Sequence, residues 1–256
     1  MSSIFYTDEG EGLPIIFIHG FCETHELWND FISPFLKTNR VITLDLPGFG
    51  KSPLPSGEFS IDSIGLMIIE WLKNIGISKA IFVGHSLGGY VALSIANQNP
   101  GIVAGLSLFH STASADTEQK RISRNRVNDF VRKHGVAPYI KIYVPGLFVQ
   151  KNHPALLKIY EMSLKTDPKT LILYSNSMKV RSERSLVLKR YSYPVQIIAG
   201  LKDTLIPVND LKEQVTFSSN SELILLEHSA HMGMIEEREI AEKAVLKFAH
   251  KCNSAI

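Results

Sequence analysis

The sequence has no long apolar run; the longest, such as residues 14–18 and 223–226, are the length of a strand. A membrane-spanning helix needs about 18 to 20 predominantly apolar residues. The sequence therefore predicts a protein that does not span a membrane. Residues 1–12 carry Asp8, Glu9 and Glu11 and lack the basic and apolar regions of a secretory signal. We therefore expect a cytoplasmic protein.

Cysteine is almost absent as well. Cys22 and Cys252 are the only two, and the chain contains no N-glycosylation sequon, so the sequence predicts no disulfide framework. No cysteine or further histidine stands at metal-ligand spacing beside His228 and His231, so we expect no metal. Gly50-Lys51-Ser52 resembles the end of a phosphate-binding loop, but Asp45 stands where its first glycine would be. The sequence thus predicts no cofactor.

Charge is unevenly distributed along the 256 residues, although the formal net charge is only +2. Residues 111–190 hold 16 Lys and Arg against 6 Asp and Glu, whereas the rest of the chain holds 11 against 19. This shift in composition predicts an inserted basic segment. Its charges are dispersed among apolar residues without a nucleic-acid-binding motif, which favours a solvated helical surface and no nucleic-acid partner. An acidic substrate or an acidic carrier protein is the alternative partner for this surface.

Strand-like and helix-like segments alternate, which indicates an α/β fold with a mostly parallel central sheet flanked by helices. Short runs rich in Ile, Val and Phe predict buried strands at 15–18, 41–44, 80–83, 105–109, 195–199 and 222–226. Helices are predicted at 61–74, 87–98 and 236–250. The connection from 109 to 194 is too long for an ordinary crossover. We therefore predict a core formed by residues 1–110 and 191–256, and a helical cap, residues 111–190, inserted after the sixth strand.

The strongest local signal is Gly84-His85-Ser86-Leu87-Gly88, which follows a predicted strand and opens a predicted helix. This is the context of a nucleophile elbow, in which a serine sits on a sharp, strained turn. Side chains at Gly84 or Gly88 would crowd the neighbouring strand or helix. A glycine-rich turn without catalysis is the alternative for this motif taken alone. Ser86 is therefore a candidate nucleophile.

A serine hydroxyl needs a histidine base that is oriented by a carboxylate. Asp203 follows the predicted strand at 195–199, and His231 follows the strand at 222–226. His228 competes with His231 but lies nearer the strand end, so we predict His231 as the base. Asp203 could be a turn former and His231 a helix-start residue, but the order Ser, Asp, His along the chain matches a catalytic triad.

Two backbone N–H groups are candidates for an oxyanion hole. Leu87 follows the candidate nucleophile, and Phe21 follows the predicted strand at 15–18 in the turn His19-Gly20-Phe21. Loops at the same edge of a parallel sheet can face one pocket, and two such donors stabilise an oxyanion. His19 is expected to support this loop through hydrogen bonds.

These motifs together make the chain resemble the α/β-hydrolase superfamily, in its branch of small capped serine esterases and lactonases. The resemblance rests on His19-Gly20-Phe21, on Asp45-Leu46-Pro47-Gly48-Phe49-Gly50-Lys51-Ser52, on the Ser86 elbow, on the acid loop at 200–207 and on His231. It implies Ser86 as nucleophile, His231 as base, Asp203 as acid, and Phe21 and Leu87 as oxyanion donors. Ala230 departs from the glycine that commonly precedes the family histidine. Serine at the elbow argues against the dehalogenases and epoxide hydrolases of this fold, because a resemblance to those enzymes would require aspartate at this position.

The function that these residues predict is cleavage of a carboxylic ester or related small acyl substrate through an acyl-enzyme, as in a carboxylesterase. A lactonase, a thioesterase or a carbon–carbon bond hydrolase on the same triad stays open, and so does a receptor that binds a ligand with little turnover. The acyl pocket is expected between sheet and cap. Its candidate lining residues are Trp28, Met232, Tyr139, Tyr143 and Phe148.

Overall fold

A seven-stranded sheet forms the centre of the computed structural model, which describes residues 3–254. Its strands are β1 (Tyr6–Glu9), β2 (Ile15–Ile18), β3 (Val41–Leu44), β4 (Ala80–His85), β5 (Val103–Phe109), β6 (Val195–Gly200) and β7 (Ser221–Leu226). Their order across the sheet is β1-β3-β2-β4-β5-β6-β7, and all pairs are parallel except β1 with β3. The predicted α/β fold with a mostly parallel sheet is confirmed.

The six strands expected from apolar runs are all present. Strand β7 is half-buried over most of its length, whereas β2 to β6 are buried along their whole length. Such strands consist of nearly continuous apolar residues and are easily recognised. Strand β1 was not predicted: its sequence, Tyr-Thr-Asp-Glu, is polar and half exposed because it pairs on one side only.

Helices surround the sheet, and five of them belong to the predicted core. They are α1 (Ile61–Asn74), α2 (Leu87–Gln98), α8 (Val208–Gln214), α9 (Gly233–Glu236) and α10 (Arg238–Asn253). Helix α1 begins at a capping box, in which the Ser60 hydroxyl accepts from Ser63 N–H at 3.0 Å. Within residues 3–254, no helix has both the length and the apolar character needed to cross a membrane.

Five more helices fill the connection between β5 and β6. They are α3 (Glu118–His134), α4 (Val136–Gly146), α5 (Leu156–Leu164), α6 (Pro168–Lys179) and α7 (Ser185–Arg190). The insertion was predicted after the sixth strand, but it follows the fifth, β5. In the described residues, β1 is the one strand before that at Ile15, so five strands precede the insertion. We call residues 111–190 the cap segment; its exact boundaries as a unit stay a prediction.

Polar contacts attach the cap segment to the core. Tyr174 Oη donates to the Pro47 carbonyl at 2.9 Å, and Arg184 Nη2 lies 2.7 Å from the Asp62 carboxylate. Because these contacts join α6 and α7 to loops and helices of the core, the cap segment is fixed above one edge of the sheet.

Candidate active site

The turn between β4 and α2 holds Ser86 in a strained conformation. Its φ of 48° and ψ of −110° lie in a region that residues with side chains rarely adopt. Two hydrogen bonds hold this turn: Ser86 N–H donates to the Phe109 carbonyl at 2.9 Å, and Ser111 Oγ donates to the Ser86 carbonyl at 2.7 Å. The neighbouring strand β5 and the residues after it therefore hold the backbone in this strained form.

Glycines make this tight turn possible. A Cβ atom on Gly84 would collide with the carbonyl of Gly88, and one on Gly88 would collide with the carbonyl of Ile18. Both neighbours are backbone atoms of packed elements, so they cannot move aside cheaply. The crowding predicted at both glycines is confirmed.

Asp203 and His231 meet at the carboxyl edge of the sheet. His231 Nδ1 lies 2.7 Å from Asp203 Oδ2, and the other carboxylate oxygen accepts from the backbone N–H groups of Leu205 (2.8 Å) and Ile206 (3.1 Å). Although burial alone would raise it, the pKa of Asp203 is held well below its usual range by His231 and His110. The carboxylate is therefore ionised and is held in one orientation.

The same contact changes the electrostatics of His231. Burial by itself favours the neutral ring, but the Asp203 carboxylate outweighs it and raises the pKa of His231 above its ordinary value. His231 Nε2 is buried and has no hydrogen-bond partner in the part of the chain that the structure describes. A proton on Nδ1, donated to Asp203, leaves Nε2 as the free basic nitrogen. The backbone N–H of His231 donates to the Leu147 carbonyl of the cap segment at 2.9 Å.

A third histidine, His110, faces the same carboxylate and was not predicted. Its Nε2 accepts from Gly233 N–H at 3.0 Å, while its Nδ1 lies 3.3 Å from the Gly200 nitrogen and 3.4 Å from Asp203 Oδ2. Burial lowers the pKa of His110 to about 4, so this ring is neutral at physiological pH. His110 directly follows β5, and its place at a strand end was the available signal.

His110, Asp203 and His231 are also the kind of residues that bind metal ions, with ligand atoms within 4.8 Å of one another. The 2.7 Å between His231 Nδ1 and Asp203 Oδ2 is shorter than the separation of about 3.3 Å between two ligand atoms bound tetrahedrally to one zinc ion. This geometry fits a direct hydrogen bond better than shared ligation of a metal.

A buried contact between Glu23 and His85, also not predicted, joins the candidate loops. Glu23 Oε2 accepts from Gly20 N–H at 2.6 Å and lies 2.8 Å from His85 Nδ1, while His85 Nε2 lies 3.0 Å from the His231 carbonyl. Both ring nitrogens thus face oxygen atoms of neighbouring loops. Burial alone would raise the pKa of Glu23, but His85 and the Gly20 N–H hold it below its usual value.

The two predicted oxyanion donors lie on loops of this same edge. Leu87 is the first residue of α2, so its N–H belongs to the free donors at a helix N-terminus. Phe21 follows β2, in the loop that Glu23 anchors through Gly20. His19 supports this loop as expected, since its ring lies 2.8 Å from the Gly20 carbonyl and 2.9 Å from Leu46 N–H.

A cavity of about 340 Å³ opens beside Ser86, between the sheet edge and the cap segment. Tyr139 and Tyr143 line it as predicted; their rings stack with centroids 5.2 Å apart, and Tyr143 contacts Phe21 edge-on at 6.1 Å. We call the cap-segment residues that line this cavity the cap wall. They are Lys120, Ser123, Arg124, Val127, Tyr139, Ile142, Tyr143, Ser175 and Met178.

Three of the five residues predicted for the pocket do not line this cavity. Trp28 is completely buried among aromatic rings of the core, with Phe17 at 5.1 Å and Phe31 at 5.6 Å. Phe148 is buried against the ring of His153, and Met232 is buried where α9 begins. Sequence proximity to candidate site residues favoured Trp28 and Met232, but the aromatic cluster and the helix start bury their side chains in the core instead.

The histidine loop accommodates its alanine without strain. Ala230 lies outside the positive-φ region that would favour glycine, and its N–H donates to Glu236 Oε2 at 2.8 Å. His228, the competing histidine, is exposed. Of the two histidines, only His231 contacts Asp203.

Comparisons with known proteins agree with this architecture. Residues 14–238 match the family model of the alpha/beta hydrolase fold. The chain belongs to the alpha/beta hydrolase family.

Relatives in this family carry several activities. The chain is 26% identical over 242 residues to the dihydrolipoyllysine-residue acetyltransferase component of the acetoin cleaving system of Pseudomonas putida, which covers 94% of this chain but only 64% of that protein. It is 27% identical to the 2-hydroxy-6-oxo-6-(2'-aminophenyl)hexa-2,4-dienoic acid hydrolase of Metapseudomonas resinovorans, over 95% of this chain and 86% of that one. A thermophilic esterase from Thermogutta terrifontis superposes with a TM-score of 0.91 at 25% identity, over 98% and 94% of the two chains.

Proposed function

We propose that this protein is a serine hydrolase that cleaves a carboxylic ester or a related acyl substrate through Ser86, His231 and Asp203. The observation that carries the proposal is the hydrogen bond of 2.7 Å between His231 Nδ1 and Asp203 Oδ2, with His231 Nε2 left unpaired. The strained Ser86 turn beside the cavity supports the same function. The name of the esterase with 25% identity also supports it.

In the proposed mechanism, Ser86 Oγ attacks the substrate carbonyl while His231 Nε2 removes its proton. Asp203 holds the ring through Nδ1 and stabilises the imidazolium that forms. The N–H groups of Phe21 and Leu87 stabilise the oxyanion, and each such donor typically contributes about 3 kcal/mol. His231 then protonates the leaving group, and water hydrolyses the acyl-enzyme by the same route.

Ser86 and His231 do not hydrogen-bond to each other, since Nε2 has no partner among residues 3–254. Contacts of this type commonly tighten only when substrate is bound. The buried pair of Glu23 and His85 connects the oxyanion loop, the elbow and the His231 carbonyl, so it supports the relative positions of these three parts.

The test is hydrolysis of p-nitrophenyl esters of increasing acyl length by the purified protein. We expect multiple turnover by the wild type and a fall in kcat of about 10⁴-fold or more in Ser86→Ala. Ser56→Ala is the control and should keep wild-type kcat, since Ser56 is an exposed serine that does not line the cavity. Hydrolysis that persists in Ser86→Ala would overturn the proposed nucleophile.

A lactonase, thioesterase or carbon–carbon bond hydrolase would use the same three residues. The similarity to the 2-hydroxy-6-oxo-6-(2'-aminophenyl)hexa-2,4-dienoic acid hydrolase supports a substrate other than an ester as an alternative for this chain. A receptor-like protein is the alternative outside catalysis. A folded wild type that hydrolyses no ester but reacts covalently at Ser86 favours a narrow substrate, whereas ligand binding without turnover favours a receptor.

A further inference from the structure

The cavity carries positive charge that no acidic residue of its wall balances. Lys120 and Arg124 both line it, and none of its lining residues is Asp or Glu. Lys120 is half-buried, and its ammonium group has no hydrogen-bond or ion-pair partner among residues 3–254. A partly desolvated ammonium without a partner is unfavourable, so a bound anion would stabilise it.

Arg124 is only partly neutralised. Its guanidinium bonds Asp116, but the same carboxylate also accepts from Arg181 Nη1 at 2.5 Å. One carboxylate thus serves two guanidinium groups, and one positive charge remains beside the cavity. The Arg181 guanidinium also lies 3.9 Å from the ring centroid of Tyr90, which itself lines the cavity.

The buried carboxylates at the sheet edge are already paired with other groups. Asp203 is bound by His231 and faces His110, and Glu23 is bound by His85 and by a backbone N–H. Neither contacts Lys120 directly. The positive charge of Lys120 nevertheless acts on His231, because it partly opposes the rise in the pKa of that residue.

From this charge pattern we infer that the substrate carries a carboxylate or another anionic group, which binds Lys120 beside Arg124 on the cap wall. The inference rests on the proposed function, because it names a substrate class for the same site. The hydroxyl groups of Ser123 and Ser175 also line the cavity and can donate to such an anion. The apolar lining from Val127, Ile142 and Met178 suits a carbon chain between the anion and the reacting carbonyl.

Two matched pairs of esters test the inference. Mono-p-nitrophenyl adipate and p-nitrophenyl hexanoate differ only in a terminal carboxylate on the acyl side. 4-Carboxyphenyl hexanoate and phenyl hexanoate differ only in a carboxylate on the leaving group. The variants are Lys120→Met and, as a matched control, Lys133→Met, since Lys133 is an exposed lysine of the same helix that does not line the cavity.

We expect the wild type to prefer one anionic ester over its neutral partner in kcat/KM by about tenfold, since a hydrogen bond to a charged group typically contributes that much or more. Lys120→Met should remove this preference, and Lys133→Met should leave both the preference and the rate on the neutral ester unchanged. A preference that survives in Lys120→Met, or the absence of any preference in both pairs, would overturn the inference.

A binding measurement separates this inference from the proposed function. Calorimetric titration of Ser86→Ala with the two intact p-nitrophenyl esters needs no turnover. Tighter binding of the adipate ester that is lost in Ser86→Ala/Lys120→Met supports the anion site even if the wild type hydrolyses nothing. Ester hydrolysis that depends on Ser86 but ignores charge would keep the proposed function and reject the anion site.

Discussion

The loops at the carboxyl edge of the sheet and the cap wall form opposite sides of one cavity, but they are held together differently. At the sheet edge, the key polar groups are fixed by short hydrogen bonds, as Asp203 is by His231, Leu205 and Ile206. On the cap wall, the rings of Tyr139 and Tyr143 stack on each other, and the ammonium group of Lys120 has no polar partner among residues 3–254. Polar contacts thus fix the sheet-edge side in one arrangement, which suits the bond cleavage proposed for it, whereas the cap wall suits the proposed substrate selection.

Replacing Asp203 with Asn should have the largest effect in this comparison. The amide cannot stabilise the His231 imidazolium and favours the wrong tautomer, so kcat should fall by about 10⁴-fold. Steady-state kinetics on the best p-nitrophenyl ester measures this. A loss of less than tenfold in a folded Asp203→Asn variant would show that Asp203 does not orient the base.

Replacing Glu23 with Gln should mainly reduce stability. The change leaves His85 buried without its anionic partner, and breaking such a pair typically costs about 3 to 5 kcal/mol of unfolding free energy. Urea unfolding followed by fluorescence measures the loss. Glu26→Gln is the control, since Glu26 is a half-buried glutamate whose carboxylate has no hydrogen bond or ion pair among residues 3–254. It should change stability by less than about 0.5 kcal/mol.

Shortening Tyr143 to Ala should change selectivity rather than chemistry. The smaller side chain enlarges the cavity, so the preferred acyl chain of the ester series should become longer, with kcat/KM ratios shifting by about tenfold. Phe148→Leu is the control for Tyr143→Ala, since Phe148 is buried and does not line the cavity. That variant should lose stability and keep the wild-type chain-length profile; a matching shift in both variants would contradict the assigned cap wall.

The smallest expected effect is on the pH profile. His231 must be neutral to accept the serine proton, and Asp203 raises its pKa above the ordinary value of 6.5. The acid limb of kcat/KM for a neutral ester should therefore have its midpoint above pH 6.5. Lys120→Met removes a nearby positive charge and should move this midpoint to higher pH. A midpoint below 6.5 in the wild type would contradict the assignment of His231 as the base.

The two sides of the cavity also differ in how far sequence could predict them. Ser86, Asp203 and His231 each follow a predicted strand, and ends of parallel strands meet at one edge, so their proximity follows from the strand pattern. His110 follows a strand in the same way and was still missed, because no motif surrounds it. Side chains of the cap wall meet through packing of helices distant in sequence, which local patterns do not encode.

Trp28 is a residue that the sequence predicted for the pocket but that the structure places in the core. It lies close in sequence to the oxyanion loop, but its indole belongs to the aromatic cluster with Phe17 and Phe31. Hydrophobicity predicted its burial but not whether it would face a cavity or the core. Strand β1 was missed because its polar residues at the sheet edge give no apolar run.

The most direct test of the central claim is covalent labelling of the intact protein with a fluorophosphonate, followed by mass spectrometry of the modified peptide. An activated serine reacts with this probe whatever its natural substrate. The proposed function predicts one adduct per chain, on Ser86, abolished in Ser86→Ala and strongly slowed in Asp203→Asn. No adduct on the folded wild type, or an adduct on another serine, would contradict it.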